Sequence, residues 1–105
     1  MTTREILYSL PAKVNPQAIE GLETLFHFDI DGDHGGQFTV QVANGEVKVT
    51  DGLSGEPKCV VRASDENFVS VLTGALNPMM AILTGKLKIS NQSEMLKYAK
   101  LFGLM

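Results

Sequence analysis

The sequence predicts an α+β fold in which one five-stranded, mostly antiparallel sheet carries its helices on a single face. Apolar and polar residues alternate along the middle of the chain, as they do in strands that bury one face. The pair Asn44-Gly45 separates two of these stretches and is a strong signal for a two-residue hairpin turn. Short stretches with helical periodicity lie before and after this β-rich middle.

Two short helical elements begin the chain. Thr3–Leu10 places its apolar residues on one side of a helix, and Pro11 limits the extension of that helix. Asn15 followed by Pro16 predicts a second helix start, because asparagine caps well and proline suits the first helical position. Gly21 then ends this element.

Three strands follow, and they predict an antiparallel meander with one solvent-exposed face and one apolar face. Their bounds are Glu23–Asp31, Gln37–Ala43 and Glu46–Thr50. The residues expected on the apolar face are Phe26, Phe28, Ile30, Phe38, Val40, Val42, Val47 and Val49. A loop then leads to a fourth strand at Lys58–Ala63, which is predicted from its β-branched residues.

Ser64 is a good N-cap for the next helix, whose first turn carries Asp65 and Glu66 where acidic residues are favourable. Phe68 belongs to the apolar stripe of this helix. A last helix is expected from about Gln92 to Phe102.

The most informative segment is Asn77–Ile89, which predicts a short apolar helix that runs directly into an amphipathic strand. Pro78 suits the first helical position, and Gly85 supplies the left-handed residue that ends the helix. Lys86–Ser90 alternates with period two and forms the fifth strand. Because the helix is apolar nearly all round, one packing partner does not cover all of its apolar surface. A ligand is one candidate to cover the remainder of that surface.

Composition restricts the function classes. The chain has 105 residues, so residues 1–105 form one domain, and its net charge of −3 argues against nucleic acid or an anionic membrane as the main partner. No apolar run approaches the roughly 20 residues that span a bilayer, and no signal peptide is expected. A single cysteine excludes an internal disulfide and fits a cytoplasmic protein.

No motif predicts catalysis, a cofactor or a metal site. Asp29–Asp33 has some likeness to a calcium loop, but His34 and Val40 occupy the places that need glycine and a bidentate carboxylate. His27 and His34 have no zinc-ligand spacing with Cys59. Cys59 is interpreted as a small buried residue, while a distant histidine partner in space stays the alternative. We therefore expect a protein that is not an enzyme.

Two interpretations of the apolar residues stay open at this point. The sheet face and the helices form either one compact core or a cavity that holds an apolar guest. Lys86 and Lys88 likewise form either a solvated, edge-protecting face or a contact for a lipid head group.

Cys59–Phe102 resembles the second half of the sterol carrier protein type 2 domain family. The matching blocks are, in order, Ser64–Phe68, Leu72–Gly74, Asn77-Pro78 and Gly85–Ile89. From near Gly21 the first half matches more loosely, through Phe26–Ile30, Gly35-Gly36, Asn44-Gly45 and Asp51-Gly52.

The resemblance implies an α+β fold whose five-stranded sheet and helices enclose an apolar tunnel. Family members bind fatty acids, acyl-coenzyme A, phospholipids and sterols, and some move lipids between membranes. The residues that match the tunnel lining are Phe68, Leu72, Leu76, Met79, Met80, Leu83, Leu87 and Ile89. Those that match the C-terminal helix that gates the tunnel are Met95, Leu96, Ala99 and Phe102.

The chain also departs from the family pattern. Ser90-Asn91 replaces the glycine that usually follows the Gly85–Ile89 block, and Phe38 stands where many relatives carry tryptophan. The sequence does not end in the peroxisomal small-basic-leucine tail, so peroxisomal delivery is not expected. The chain looks like a prokaryotic stand-alone member, for which sterol is not the expected ligand.

The expected function is a non-catalytic carrier that holds a fatty acid, acyl-coenzyme A or similar apolar ligand in the tunnel. The alternative is an accessory module that presents a polyprenyl or other lipid substrate to partner enzymes. Both expectations include a transient contact with a membrane or an enzyme, and the sequence leaves the oligomeric state open.

Overall fold

The predicted α+β fold is confirmed by the structure of this chain, a computed structural model that describes residues 2–99. The strands are β1 (Thr24–Asp31), β2 (Gly36–Ala43), β3 (Glu46–Asp51), β4 (Cys59–Ser64) and β5 (Leu87–Ile89). The helices are α1 (Thr3–Tyr8), α2 (Leu10–Lys13), α3 (Asp65–Leu72), α4 (Pro78–Leu83) and α5 (Gln92–Lys97), with a 3-10 helix at Pro16–Ile19. Each strand end lies within one residue of its prediction, because the alternation that defines a strand is a local property.

The strands form one sheet in the order β3-β2-β1-β4-β5. All neighbours are antiparallel except the central pair β1 and β4, which run parallel with Phe26 opposite Cys59 and Phe28 opposite Val61. The prediction of a mostly antiparallel sheet is therefore confirmed. Because β4 lies beside β1, the chain must cross from the β3 edge to the middle of the sheet.

The crossing is made by the loop 52–58, which covers part of the sheet face that is turned away from the helices. His27 Nε2 lies 2.8 Å from the carbonyl oxygen of Ser54. The Thr39 hydroxyl donates to the carbonyl oxygen of Gly52 at 2.7 Å. Both side chains are buried although they lie on the face predicted to be wet. Hydrogen bonding to the loop accounts for this, because a buried polar group needs a partner.

The core lies between the inner face of the sheet and the helices. Aromatic rings on the strands contact aromatic rings on the helical side: Phe28 meets Phe68 at 5.7 Å and Phe26 meets Tyr98 at 5.8 Å between centroids. Both contacts are edge-to-face, the favoured geometry for aromatic pairs. The predicted apolar face is confirmed, since its side chains are buried on β1 and β2.

Three local details differ from the prediction. The first helix is interrupted at Ser9, and Pro11 lies in the first turn of α2, where a missing N–H costs little. The element after Asn15 is a 3-10 helix. The last helix ends at Lys97, with Tyr98 as its C-cap, and its predicted range beyond residue 99 lies outside the described residues.

The turn 32–35 is tied to the start of α3. The Asp65 carboxylate accepts hydrogen bonds from the backbone N–H of His34 at 2.9 Å and of Glu66 at 2.7 Å, and these bonds lower the pKa of Asp65. Gly32 has φ +105° and a Cβ there would collide with the Asp65 carboxylate, so only glycine fits. Within residues 2–99, no helix is both long and apolar enough to cross a bilayer.

Candidate functional site

Helix α4 is fixed in place by its own sequence. Asn77 Oδ1 accepts hydrogen bonds from the backbone N–H of Met79 at 2.9 Å and of Met80 at 3.3 Å. These bonds satisfy donors that every helix start leaves free, and Pro78 needs none. At the other end Gly85 has φ +77° and the Lys86 N–H donates to the carbonyl oxygen of Ala81 at 2.8 Å. The predicted cap and stop are confirmed.

The predicted ligand-binding residues divide into groups by exposure. The buried ones are Phe68, Leu87, Met95 and Ala99. The half-buried ones, which pack against the core, are Leu72, Leu76 and Ile89. The exposed ones are Met79 (62%), Met80 (54%), Leu83 (75%) and Leu96 (66%). Phe102 lies outside the described residues.

Helix α4 contacts the core through the side that carries Ala81 and Ile82. Ala81 is its fully buried residue and Ile82 is half-buried, whereas Met79 and Leu83 face outwards. A small residue at the contact lets the helix backbone approach the core closely. Periodicity alone does not predict which side contacts the core, because the helix carries apolar residues on nearly every side.

A groove of about 390 Å³ lies along the β4–β5 edge, lined by Val60, Arg62, Lys88, Ile89 and Ser90. Arg62 and Lys88 stand directly opposite each other on the two strands, an arrangement that is unfavourable for like charges. Asp29 lies 3.8 Å from Arg62 Nε and offsets part of this charge. The groove thus combines apolar and positively charged side chains. Arg62 and Lys88 lie on the sheet face that is turned away from the helices, because they alternate with the buried residues Ala63 and Leu87.

A buried polar cluster lies where α5 meets the sheet. The Thr24 hydroxyl donates to Glu94 Oε2 at 2.6 Å, and Lys97 Nζ lies 3.7 Å from Glu94 Oε1. Cys59 is nearby, and burial raises the pKa of its thiol above the ordinary value. Its Sγ–H donates weakly to the carbonyl oxygen of Asn91 at 3.5 Å.

These surroundings do not suit Cys59 as a nucleophile, which needs a lowered pKa and a neighbouring base. His27 follows Phe26 on β1, and Phe26 is paired with Cys59, so His27 projects to the opposite face of the sheet. His34 is exposed in the turn after β1. Within the described part of the chain, no three His, Cys, Asp or Glu side chains gather in a way that could hold a metal.

Comparison with known proteins places this fold and these residues in a family. Residues 4–102 match the model of the SCP-2 sterol transfer family. Hydroxysteroid dehydrogenase-like protein 2 of Xenopus tropicalis is 29% identical over 104 residues, which cover 97% of this chain and 25% of that protein. The chain therefore spans a quarter of that relative's length.

Two solved structures show the same fold. The sterol carrier protein domain 2 of Helicoverpa armigera is 28% identical with a TM-score of 0.75, and the match covers 93% of this chain and 80% of that one. Palmitated SCP2L2 of Aedes aegypti is 21% identical with a TM-score of 0.77, and the match covers 97% of this chain and 95% of that one. The resemblance found in the sequence is thus confirmed, and the chain belongs to the SCP-2 sterol transfer family, a family of lipid-binding domains.

Proposed function

We propose that this chain is a non-catalytic carrier that holds one fatty acid, acyl-coenzyme A or similar acyl lipid between its helices and the inner face of its sheet. The observation that carries the proposal is the continuous apolar layer formed by α3, the sheet and α5, within a family of lipid-binding domains. The palmitated state of the Aedes aegypti relative supports an acyl chain as the ligand. The reducing cytosol, where the free Cys59 is stable, is the proposed compartment.

We assign the proposed ligand contacts according to how exposed each side chain is. The buried and half-buried members of the predicted set surround the acyl chain, and the exposed members Met79, Met80, Leu83 and Leu96 lie at the mouth. Met95 on α5 is the side chain best able to make room, because methionine is unbranched and flexible. Each CH₂ group that leaves water contributes about 0.8 kcal/mol, so affinity rises with chain length.

A titration with a fluorescent fatty acid in vesicle-free solution tests the proposal. Leu76 and Leu22 are both half-buried leucines packed against the core, but only Leu76 belongs to the proposed site. We expect Leu76→Asn to weaken binding about tenfold, and the matched control Leu22→Asn to retain wild-type affinity. Circular dichroism checks that both variants fold. Absence of saturable binding by the wild-type chain, or equal losses in the two variants, would contradict the proposal.

A second candidate function is presentation of a polyprenyl or other lipid substrate to partner enzymes. It draws support from the relatives, in which the matched segment is a quarter of a larger protein. Copurification of the tagged chain in a defined complex with a lipid-modifying enzyme would favour this role. A partner-free chain that moves labelled fatty acid between two vesicle populations would favour the carrier.

A further inference from the structure

The sheet face that is turned away from the helices, here called the outer face, is only partly covered. The crossing loop 52–58 covers its middle, where it bonds to His27 on β1 and to Thr39 on β2. Over β4 and β5 the outer face carries the groove described above, and Arg62 and Lys88 are exposed there. This part of the sheet is therefore open to an external partner.

The last strand, β5, also has a free edge, because it ends the strand order of the sheet. The Ser90 N–H donates to the carbonyl oxygen of Val60 at 3.0 Å. Antiparallel bonds alternate along a strand, so Leu87 and Ile89 direct their backbone N–H and C=O groups away from β4. Within residues 2–99, no backbone bond outside the sheet ladders involves either residue. Such a row of groups can pair with an added strand.

The charge at this edge indicates which kind of strand it suits. Lys88 lies at the centre of β5 and directly opposite Arg62. Asp29 approaches Arg62 Nε at 3.8 Å, yet 67% of the Arg62 side chain stays exposed. The sequence has no acidic residue from position 67 to 93. A chain of net charge −3 thus carries a positive edge, and two opposed cations there favour a partner with negative charge.

The other free edge of the sheet, β3, lacks this combination. Lys48 lies in the middle of β3, but Glu46 is two residues away and therefore on the same face. Asp51 at the end of the strand is paired with Arg4, and α2 contacts β3. Opposite charges are mixed along β3, so this edge favours no charged partner and provides a matched control.

We propose that β5 binds an extended acidic segment of a partner protein, which adds a strand to the sheet. Alternate residues of the segment place carboxylates on the outer face beside Lys88, where Arg62 also attracts them. The intervening residues are apolar, because they lie on the inner face beside Leu87 and Ile89. The proposal is independent of the acyl ligand.

A second copy of the chain fits this edge less well than an acidic segment. Antiparallel pairing of two β5 strands about their centres would place two Lys88 side chains opposite each other, which is unfavourable. A lysine on a short edge strand opposes pairing with neutral or basic strands in the same way. The residue that protects the edge against unselective pairing thus selects an acidic partner.

Fluorescence anisotropy with a labelled peptide of alternating glutamate and valine tests this proposal. We expect saturable binding by the wild-type chain and no binding of the matching lysine–valine peptide. Lys88→Glu is expected to weaken binding of the glutamate–valine peptide at least about tenfold. Lys48→Glu makes the same charge change at the centre of the other edge strand, and we expect it to bind as the wild-type chain does. Circular dichroism checks that both variants fold.

Amide hydrogen exchange distinguishes strand addition from attraction between charges alone. An added strand bonds to the outward N–H groups of β5, so we expect the glutamate–valine peptide to slow exchange at Leu87 and Ile89. Val47 and Val49 are the matched controls, because their N–H groups face outwards on β3 by the same alternation. We expect their exchange to be unchanged.

Several results would overturn the proposal. These are no saturable binding of the glutamate–valine peptide, equal losses in Lys88→Glu and Lys48→Glu, or binding that leaves exchange at Leu87 and Ile89 unchanged. A dimer that protects these two amides without peptide would assign the edge to a second copy. The assay contains no lipid, so failure of peptide binding leaves the carrier proposal standing, and absence of fatty-acid binding leaves the peptide site standing.

Discussion

The hydroxyl of Thr24 on β1 and the carboxylate of Glu94 on α5 are joined by a buried hydrogen bond of 2.6 Å. The bond links residues that are far apart in the sequence, and it fixes the helix that closes the core against the central part of the sheet. The acceptor is a carboxylate with 9% of its side chain exposed. Hydrogen bonds to charged acceptors are stronger than those between neutral groups, especially where water is excluded.

Thr24→Val is therefore expected to destabilise the chain although it preserves side-chain shape and β-branching. Removal of the donor leaves a buried carboxylate oxygen without its hydroxyl partner, at a cost of about 1.5–3 kcal/mol in the free energy of unfolding. Urea denaturation followed by circular dichroism measures the effect. Thr24→Ser keeps the hydroxyl and is expected to lose less. Equal stability of Thr24→Val and the wild-type chain would show that the bond makes no net contribution.

A second polar contact, between α1 and β3, predicts a dependence of stability on pH. Arg4 donates to both carboxylate oxygens of Asp51, at 2.9 and 3.0 Å, and the Tyr8 hydroxyl donates at 2.6 Å. The bond from Arg4, followed by the one from Tyr8, lowers the pKa of Asp51 below its ordinary value. The unfolded chain then takes up this proton at a higher pH than the folded chain, so stability falls as the solution is acidified.

We expect Asp51→Asn to be less stable than the wild-type chain at neutral pH, with the difference shrinking as the pH falls through the pKa of Asp51 in the folded chain. Thermal unfolding at a series of pH values measures this difference, and NMR titration locates the pKa. Asp33→Asn, at an exposed turn position, serves as the control for removal of one negative charge. A folded-state pKa of Asp51 at or above its value in the unfolded chain would refute the prediction.

Ser90 and Asn91, which depart from the family pattern, build a tightly bonded turn between β5 and α5. Asn91 Oδ1 accepts from the Glu94 N–H at 3.1 Å, and Asn91 Nδ2 donates to the carbonyl oxygen of Lys58 at 3.0 Å. Ser90 Oγ accepts from the Val60 N–H at 2.8 Å. The two side chains therefore connect the turn to the beginning of β4 as well as to the helix.

Asn91→Ala removes a helix cap and a link to β4 together, so we expect a loss of about 1–2 kcal/mol in the free energy of unfolding. Asn91→Asp keeps the cap acceptor but not the amide donor. Its free energy of unfolding is expected to lie between those of the alanine variant and the wild-type chain. Chemical denaturation of the three proteins gives this order. If Asn91→Asp were as unstable as Asn91→Ala, the cap would have no measurable role.

Local patterns predict most of the secondary structure of this chain. The alternation around Phe26 and Phe28 identifies the strand and its buried face, and the caps at Ser64 and Asn77 locate two helix starts. The parallel pairing of Phe26 with Cys59 is not local, and no spacing in the sequence indicates it. The burial of His27 on the outer face depends on that pairing, since the crossing loop covers it.

The candidate site was harder to predict than the strands, because it also depends on contacts that are not local in the sequence. Residues such as Met80 and Leu83 are apolar enough for a tunnel wall, but their direction depends on which side of α4 meets the core. That choice depends on Ala81, whose small size gives only a weak sequence signal.

The parallel ladder of β1 and β4 makes the two halves of the chain mutually dependent. The first half contributes β1 to β3 and the second contributes β4 and β5, and neither set forms the complete sheet. Gly55 and Glu56, in the loop that joins the halves, are exposed and follow the hydrogen-bonded Ser54, so the bond between them is the natural point of proteolytic cleavage. Fragments separated there retain complementary surfaces, and coexpression of the two pieces should reconstitute the native assembly.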